Sequence, residues 1–496
     1  MCIEQGLEQE DVLDVVSRLV DKSLVQVERV LEQEARYGML ETIRQYALER
    51  LAASGEADVA RRRHAAHFLV LAETAAPHLE GREQGVWLDR LELEHDNLRA
   101  ALGWALGGGD VAVGARIALA LAGHDWSSFW HLRGHGSEAL RWLDHVVEQP
   151  NQLTPAQQAW ALLLANWFRE GLYGIAWDQG FAVSDQALAL FREAGDRAGI
   201  AWVIVSRGGN AWFRGDYAQA TQLLEEALAL YQQIDQHDGI ARALHDLGNV
   251  ARDSGDGARA SQLLGESLAV CQSEGYVERT TLVLCGMGDV PCIQGDFPRA
   301  TALYWESLLS FEEEQHFSQT KIYPLRNLGF MVLLQGADER VLALLQQAVA
   351  WWRDKGNQVG FGLLNHMLGV VLYSAGKAEE GLAILREALT LQVQLGQTYL
   401  VLEIIELLAG IALGQGHIVQ AARLLAAATA LRRAHNLPGY PAARSYSDHI
   451  LAATRAQLGN EAFAAAWASG QALTLEQAIA ETLAAPQRTD LSTATG

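Results

Sequence analysis

A glycine recurs along most of this chain at intervals of about 40 residues, and this repeat limits the folds that the chain can adopt. In most copies the glycine opens a short polar turn, with an alanine five residues later and then a leucine-rich segment, as in RGDYAQATQLLEEALAL from Arg214. The recurring glycines are Gly134, Gly174, Gly215, Gly255, Gly295, Gly336, Gly376 and Gly416. Gly174 is the weakest copy because its turn has neither the aspartate nor the alanine. A fixed period of this length predicts stacked helical repeats, in which each unit buries its apolar face against its neighbours.

A second glycine stands seven residues before most of these turns, as at Gly248 and Gly288. A glycine inside a helix costs about 1 kcal/mol relative to alanine. Its recurrence therefore predicts a point where the two helices of one repeat cross closely. We expect the small residue five positions after the turn glycine, such as Ala260 or Ala300, to face it at this crossing.

The composition favours a helical protein that does not bind nucleic acids. Only 9 of the 496 residues are proline, so long helices have few interruptions. The net charge of −22 argues against binding to phosphate backbones, which takes clustered lysines and arginines. No uncharged apolar stretch is long enough to span a membrane, and the acidic N-terminus does not resemble a signal peptide. We expect a cytoplasmic protein whose cysteines, Cys2, Cys271, Cys285 and Cys292, are small buried residues without disulfides.

Residues 1–55 have a different pattern from the repeats. An amphipathic segment at 11–22 predicts a helix, alternating apolar residues at 24–30 and a short segment at 36–40 predict two strands, and 41–53 predicts a second helix. Ser54 and Gly55 are expected to end that helix. The order helix, hairpin, helix is that of the C-terminal part of a winged-helix module.

The repeat itself resembles the tetratricopeptide repeat. Its marks are Leu-Gly in the first helix and, seven residues on, Gly-Asp-aromatic-x-x-Ala in the turn and second helix, and they extend over residues 112–432. The resemblance implies an all-α fold, a right-handed α-solenoid of eight or so helix-pair repeats, each about 40 residues long. The first helix of each repeat, here called the A helix, would line the concave face, and the second is the B helix.

Segments outside the repeats resemble bacterial signal-transduction ATPases of the AfsR and LuxR types, which are transcriptional regulators with tetratricopeptide sensors. The resemblance rests on SRLVDKSLV (17–25), YGMLETIRQYALERLAASGE (37–56), RRRHAAHFLVLAE (61–73) and WLDRLELEHDNLRAALGWAL (87–106). This chain has no phosphate-loop motif G-x-x-x-x-G-K-[ST], and PQRTDLSTATG stands where a linker to a helix-turn-helix module would begin. The resemblance therefore implies the sensor half of such a regulator, with the ATPase module and the helix-turn-helix outside this chain.

These patterns divide the chain into five parts. We expect a partial winged helix at 1–55, a helical connector at 56–111, tetratricopeptide-like repeats at 112–435, a helical cap at 436–485 and a disordered tail at 486–496.

The concave face is where we expect a ligand or partner to bind. Its predicted inward positions mix cations, amides and aromatic rings, which suits a protein or peptide partner and leaves a small effector as an open alternative. The predicted residues are Trp202, Arg242, His245, Asn249, Arg252, Asp289, Tyr323, Arg326, His366 and Tyr373. No cofactor is predicted, and we expect no direct contact with nucleic acid or membrane.

Catalysis and metal binding are not predicted. The histidines near the first turn are His124, His131, His135 and His145. The turn at Gly134 separates the middle pair, so they do not share a helix face as metal ligands four residues apart would. Ser267 follows Gly265 and Glu266 as in a nucleophile elbow, but it lies inside a predicted helix and lacks the second glycine.

The sequence thus predicts a non-catalytic sensor and protein-interaction scaffold, the effector- or partner-binding arm of a bacterial transcriptional regulator. The alternative is a stand-alone tetratricopeptide scaffold that binds a peptide or protein. Neither function requires ATP hydrolysis by this chain.

Overall fold

A computed structural model of the chain describes residues 9–29, 35–81, 83–123, 128–173, 177–310, 319–354, 358–435, 437 and 439–483. Several features predicted above lie outside these ranges. They are Cys2, His124, Gly174, the expected turn between the two strands and the tail at 486–496. Among the described residues, no helix is both long and apolar enough to cross a membrane.

The N-terminal segment has the predicted order of elements. Helix α1 (Gln9–Asp21) precedes strands β1 (Gln26–Arg29) and β2 (Ala35–Gly38), and helix α2 (Glu41–Ser54) follows. The strands pair antiparallel with Val27 opposite Tyr37, and α2 ends at Gly55, whose φ is +78°. None of the side chains of α2 is buried. This segment therefore forms little core of its own.

The connector and the first repeat share one hydrophobic core. Its helices are α3 (Ala57–Ala75), α4 (Gln84–Leu93), α5 (His95–Leu106), α6 (Val111–Ala122), α7 (Phe129–Leu132) and α8 (Gly136–Val147). Short 3₁₀ helices lie at Ala76–Leu79, Pro150–Gln152 and Gln319–Lys321. Buried residues from Ala65 to Phe168 form a single apolar cluster. The connector is thus packed directly onto the start of the array.

The array continues as alternating A and B helices, and the predicted all-α solenoid is confirmed. The A helices are α9 (Pro155–Tyr173), α11 (Arg197–Phe213), α13 (His237–Asp253), α15 (Val277–Ile293), α17 (Ile322–Gln335), α19 (Gln358–Ser374) and α21 (Thr398–Gly414). The B helices are α10 (Trp177–Ala194), α12 (Tyr217–Gln233), α14 (Gly257–Glu274), α16 (Phe297–Leu309), α18 (Glu339–Asp354), α20 (Ala378–Gln394) and α22 (Ile418–Ala434). With α6 and α8, the described chain contains eight helix pairs. Helix α9 also contacts α19, so the array curves back on itself.

The recurring glycines serve the turns between A and B helices, as predicted. The seven that the structure describes all have positive φ, for example +78° at Gly215 and +92° at Gly255, a backbone region that side chains with a Cβ rarely adopt. The aspartate that follows caps the B helix in three repeats, where Asp216, Asp256 and Asp296 each accept a hydrogen bond from a backbone N–H three residues on.

The glycines inside the A helices mark close helix crossings, but the facing residue differs from the prediction. A Cβ added at Gly248 would lie 2.7 Å from the Cγ of Leu264, and one at Gly288 would lie 2.6 Å from the ring of Tyr304. These residues are nine positions after the turn glycine, one helical turn beyond the predicted alanines. Ala260 and Ala300 are fully buried, but their short side chains are not the nearest atoms to the glycine.

The chain after the last repeat does more than cap it. Helices α24 (Asn460–Gln471) and α25 (Leu475–Leu483) pack on α22. Helix α23 (Pro441–Leu458) also packs on α22 and in addition returns along the A helices, where it contacts α15, α17 and α21. The surface formed by A helices α11 to α21 is called the inner surface below. Helix α23 covers a large part of it.

Candidate functional site

A buried polar network on α13 and α15 joins three of the predicted site residues. Arg252 donates from Nη1 to Oδ1 of Asn249 at 2.8 Å and to Oδ2 of Asp289 at 2.7 Å. The hydroxyl of Tyr304 donates to the other carboxylate oxygen of Asp289 at 2.7 Å. His245 extends the network through the amide of Asn249 at 3.1 Å. Burial raises the pKa of Asp289 above its ordinary value even though Arg252 opposes this shift.

Helix α23 is anchored to this network by an ion pair. Arg444 donates from Nη2 to Oδ1 of Asp253 at 2.8 Å, and the indole of Trp212 donates to the second carboxylate oxygen at 2.9 Å. Burial alone would raise the pKa of Asp253, but Arg252 and Arg444 hold it below its ordinary value. The Asp253 carboxylate therefore stays ionised and links α23 to the third and fourth described repeats.

A second network joins Arg326 and His366 through a glutamate that was not predicted. Glu403 accepts from Nε of Arg326 at 3.0 Å, from the hydroxyl of Tyr399 at 2.8 Å, and lies 2.9 Å from Nε2 of His366. Tyr440, just before α23, stacks on the Arg326 guanidinium with 4.2 Å between the guanidinium carbon and the ring centre. Burial alone would raise the pKa of Glu403, but Arg326 and His366 hold it well below its ordinary range.

These two networks are internal to the molecule. Arg326 is 1% exposed, His366 is fully buried, and Asn249, Arg252 and Asp289 are also buried. Charged groups this deep are stable only when they are paired, and removal of one partner from such a pair costs about 3–5 kcal/mol. In this conformation the networks contribute to the specificity of the fold and to the binding of α23, and their side chains do not reach an outside ligand.

The remaining predicted residues are not members of either hydrogen-bonded network described above. Arg242 places its guanidinium carbon 5.2 Å from the ring centre of Trp202, and both side chains are half-buried. Beside them lies a cavity of about 120 Å³, which Trp160 and Tyr231 also line. Tyr373 accepts a hydrogen bond from the amide of Gln415 at 3.2 Å.

Tyr323 belongs to the second network's helix, α17, and is also half-buried. Burial raises the pKa of its hydroxyl, so this group is a neutral hydrogen-bonding phenol. It adds no charge to the inner surface.

Two acidic residues of α21 could have been noticed in the sequence. Helix α21 reads TYLVLEIIELLAGIALG, and its only charged residues are Glu403 and Glu406. Each holds one buried arginine: Glu403 pairs with Arg326, and Glu406 accepts from Nε of Arg432 at 2.7 Å. An isolated acid in an apolar helix indicates a buried cationic partner.

The packing of α23 against α21 depends on Gly410, a glycine that is not one of the recurring repeat glycines. A Cβ at Gly410 would overlap the hydroxyl of Tyr446, which α23 buries against α17 and α21. Phe330 of α17 lies 6.0 Å from the Tyr446 ring, centre to centre. In the sequence, Gly410 stands next to Ala409, which occupies the expected mid-helix glycine position of this repeat. Nothing in the sequence indicates that Tyr446 would pack against Gly410.

One group of described residues has the donor set of a metal site. Glu92, His95 and His135 place one ligand atom each within 4.8 Å of one another. Nε2 of His135 lies 3.0 Å from a carboxylate oxygen of Glu92, and Nε2 of His95 lies 3.4 Å from the buried Glu138. Two imidazoles and a carboxylate are ligands that suit Zn²⁺.

A neighbouring histidine, His131, does not join this group. It is half-buried beside Trp167, with ring centres 5.0 Å apart, and desolvation of its imidazole lowers its pKa to about 3. The sequence placed His135 near a turn, but the approach of Glu92 and His95 depends on how the connector packs.

The candidate nucleophiles are structural. Ser267 is fully buried in α14 and donates to the backbone oxygen of Ala241 at 2.7 Å. Cys271, Cys285 and Cys292 are buried free thiols, and burial raises the pKa of all three. A thiol with a raised pKa is a poor nucleophile at neutral pH.

The sequence matches the Tetratricopeptide repeat family over residues 205–273. Over 225 residues it is 33% identical to proteins of Mycobacterium tuberculosis and Mycobacterium bovis that are named HTH-type transcriptional regulators. That alignment includes 43% of this chain and 24% of those proteins, so the matched part of the chain spans about a quarter of the length of these relatives.

Two solved structures are also similar. A Rap protein complexed with competence and sporulation factor is 12% identical with a TM-score of 0.42, over 68% of this chain and 99% of that one. The apo form of the quorum sensor NprR from B. thuringiensis is 12% identical with a TM-score of 0.40, over 77% of this chain and 99% of that one. At these identities the similarity concerns the helical fold alone.

Proposed function

We propose that this chain is the sensor and partner-binding arm of a larger bacterial transcriptional regulator and has no catalytic activity of its own. The tetratricopeptide match and the partial relationship to proteins named as regulators support this role. So does the order of elements at residues 9–54, which agrees with the end of a winged helix in AfsR- and LuxR-type regulators.

The observation that carries the proposal is a small cavity beside α11 and α13, the first two helices of the inner surface. Its volume is about 120 Å³, no residue of α23 lines it, and the side chains around it include Trp160, Trp202, Tyr231, Asp238 and Arg242. Tryptophan, tyrosine and arginine are the residues that most often dominate protein interfaces. A cavity of this size takes one side chain, so we propose a protein or peptide partner that inserts one residue beside Arg242.

Selection of displayed peptides tests this proposal while the partner is still unidentified. We expect peptides that bind the wild-type chain to carry an acidic or aromatic anchor residue. Arg242→Glu and Trp202→Ala should each weaken their binding at least tenfold. Arg192→Glu on the exposed face of α10 makes the same charge change as Arg242→Glu and should leave binding intact. Failure to enrich any peptide, or equal binding to all variants, would contradict the proposal.

Arg326 is unsuitable for such a test. The sequence places Arg242 and Arg326 in the same class, and a double charge reversal would be the natural experiment. The structure shows that Arg326 is paired with Glu403 in the interior, so its reversal would unfold the array locally rather than report on binding.

The parts outside the array have proposed roles in the same regulator. We propose that residues 1–55 are a partial winged helix that contacts the ATPase module, because α1 and α2 expose Leu13, Tyr46 and Leu48. Residues 56–111 would connect this module to the array, and 436–485 would cap it. DNA binding would belong to a segment outside this chain, and the cytoplasm is the compartment that fits this role.

A stand-alone scaffold is the alternative function. The genomic sequence directly upstream of Met1 distinguishes the two. An in-frame region that encodes a phosphate-loop motif would support the regulator, whereas an unrelated gene and a separate ribosome-binding site would support the stand-alone scaffold.

A further inference from the structure

A second cavity lies where the third described repeat and the last repeat meet α23. It has a volume of about 400 Å³ and is bounded by the turn between α11 and α12, the C-terminal end of α22 and the first turns of α23. This volume is within the range of small-molecule sites in proteins. The position is distinct from the cavity beside Trp202 and Arg242, and none of the predicted site residues lines it.

The walls of this cavity carry an excess of positive charge. Four arginines line it, namely Arg214, Arg432, Arg433 and Arg444, against two carboxylates, Glu406 and Asp448. Glu406 is already bound by Arg432 through two hydrogen bonds of 2.7 and 3.1 Å. Arg444 is paired with Asp253 just outside the cavity, so the walls keep an excess of one positive charge in a chain whose net charge is −22.

Two buried polar atoms at this cavity have no hydrogen-bond partner among the described residues. They are Nη1 of Arg432 and Oγ of Ser447. Buried polar groups are nearly always satisfied in folded proteins, so such a pair beside one cavity points to a ligand. Both atoms can donate a hydrogen bond, which calls for an acceptor such as an oxyanion.

We propose that this cavity binds a phosphorylated small molecule. Arginine forks match the oxygens of a phosphate group, and charge-assisted hydrogen bonds of this kind are about twice as strong as neutral ones. The four arginines come from α11's end, α22 and α23, so a bound phosphate compound joins three segments that are distant in sequence. Its occupancy holds the start of α23 against the array.

Inorganic pyrophosphate is the probe for this site. We would measure its binding by calorimetry and by the shift in Tm, at constant ionic strength and without divalent cations. Wild-type protein should bind pyrophosphate, and its unfolding free energy should rise with the logarithm of the free pyrophosphate concentration above Kd. Arg214→Ala with Arg433→Ala removes two exposed side chains and should weaken binding by at least about tenfold, which corresponds to roughly 1.4 kcal/mol.

The matched control removes the same charge elsewhere. Arg192→Ala with Arg197→Ala also takes away two exposed arginines and should bind pyrophosphate as the wild type does. Hydrogen exchange supplies a second measurement, because amides at 441–448 should exchange more slowly with pyrophosphate bound in the wild type and control only. If the double variant proves less stable than the control, Arg433→Ala alone replaces it.

Three results would overturn the proposal. They are no binding at millimolar pyrophosphate, equal loss in both double variants, and a response to citrate as large as that to pyrophosphate. The proposal does not depend on the partner site at Trp202 and Arg242. Arg242→Glu should leave pyrophosphate binding unchanged, so the two proposals can fail separately.

Discussion

One part of the inner surface lies beneath α23 and is called the covered part; the part around Trp202 and Arg242 is not covered by α23 and is called the open part. The two parts contain similar residues that have different roles. In the covered part, beneath α23, Arg252 and Arg326 are buried in complete ion-pair networks with Asp289 and Glu403. In the open part, Arg242 lies on the ring of Trp202 and remains half exposed. A charged or aromatic residue on an A helix therefore does not identify a binding residue. What decides its role is whether another segment of the chain lies over it.

The largest loss of stability should follow from removing Glu403, the carboxylate of the network around Arg326. Glu403→Ala leaves Arg326 buried without its partner and should lower the free energy of unfolding by about 3–5 kcal/mol. Urea denaturation followed by circular dichroism would measure this. Glu387→Ala, at an exposed position on α20, is the control and should change little.

The same network can be tested by replacing both charges. Arg326→Met with Glu403→Leu removes the pair together and should recover much of the lost stability, because well-packed apolar residues can replace a buried ion pair. A double variant as unstable as Glu403→Ala would show that the network is not the cause.

A smaller loss of stability is expected when the packing of α23 against the A helices is disturbed. Gly410→Ala places a methyl group where the Tyr446 hydroxyl lies and should cost about 1–3 kcal/mol, the usual range for overpacking. Faster hydrogen exchange at 441–458 would show that α23 has loosened. Gly414→Ala, where the added methyl group meets open space, should not change exchange in α23.

Acid should weaken the covered part selectively. The pKa of Glu403 is lowered in the folded protein, so its contribution is present above the ordinary value of about 4.5 and is lost as the pH falls below it. The difference in unfolding free energy between wild type and Glu403→Gln should narrow below that value by at most about 1.4 kcal/mol per pH unit. A difference that is constant from pH 6 to 3.5 would contradict the assigned ion pair.

The smallest effect on stability is expected in the open part. Arg242→Ala removes a partly exposed contact with Trp202 and should cost about 0.5–1 kcal/mol. Thermal unfolding beside Glu403→Ala would show the contrast directly. A loss as large as that of Glu403→Ala would place Arg242 with the covered residues and would undermine its proposed role in partner binding.

Much of the fold was predictable because it repeats. The positive φ at Gly215 and the capping by Asp216 follow from local chain geometry, and the regular period makes the signal visible many times. The two strands at 26–38 and the helices α1 and α2 on either side of them were predictable for the same local reason. The facing residue at the helix crossings was misplaced by one helical turn, because which side chain reaches the glycine depends on how the two helices are aligned.

The site was predictable only in part, because its most important contacts are long-range. The inward positions such as Asn249 and Arg326 follow from helix periodicity. Their burial depends on α23, and nothing in the local sequence at 441–458 indicates that this helix returns to α15 and α17. The partner of Arg444 is 191 residues away in the chain, and the group of Glu92, His95 and His135 likewise depends on packing between separate segments.

The Arg444–Asp253 contact also has a consequence for how the molecule folds. Repeats that touch only their neighbours can form one after another, and their stabilities add nearly independently. A contact across 191 residues closes only after all the intervening repeats exist, and such non-local contacts form slowly. The docking of α23 onto the array is therefore a late event in folding, and it couples the stabilities of several repeats. A chain interrupted or damaged anywhere between them would lose that shared cooperativity, even where each remaining repeat still forms.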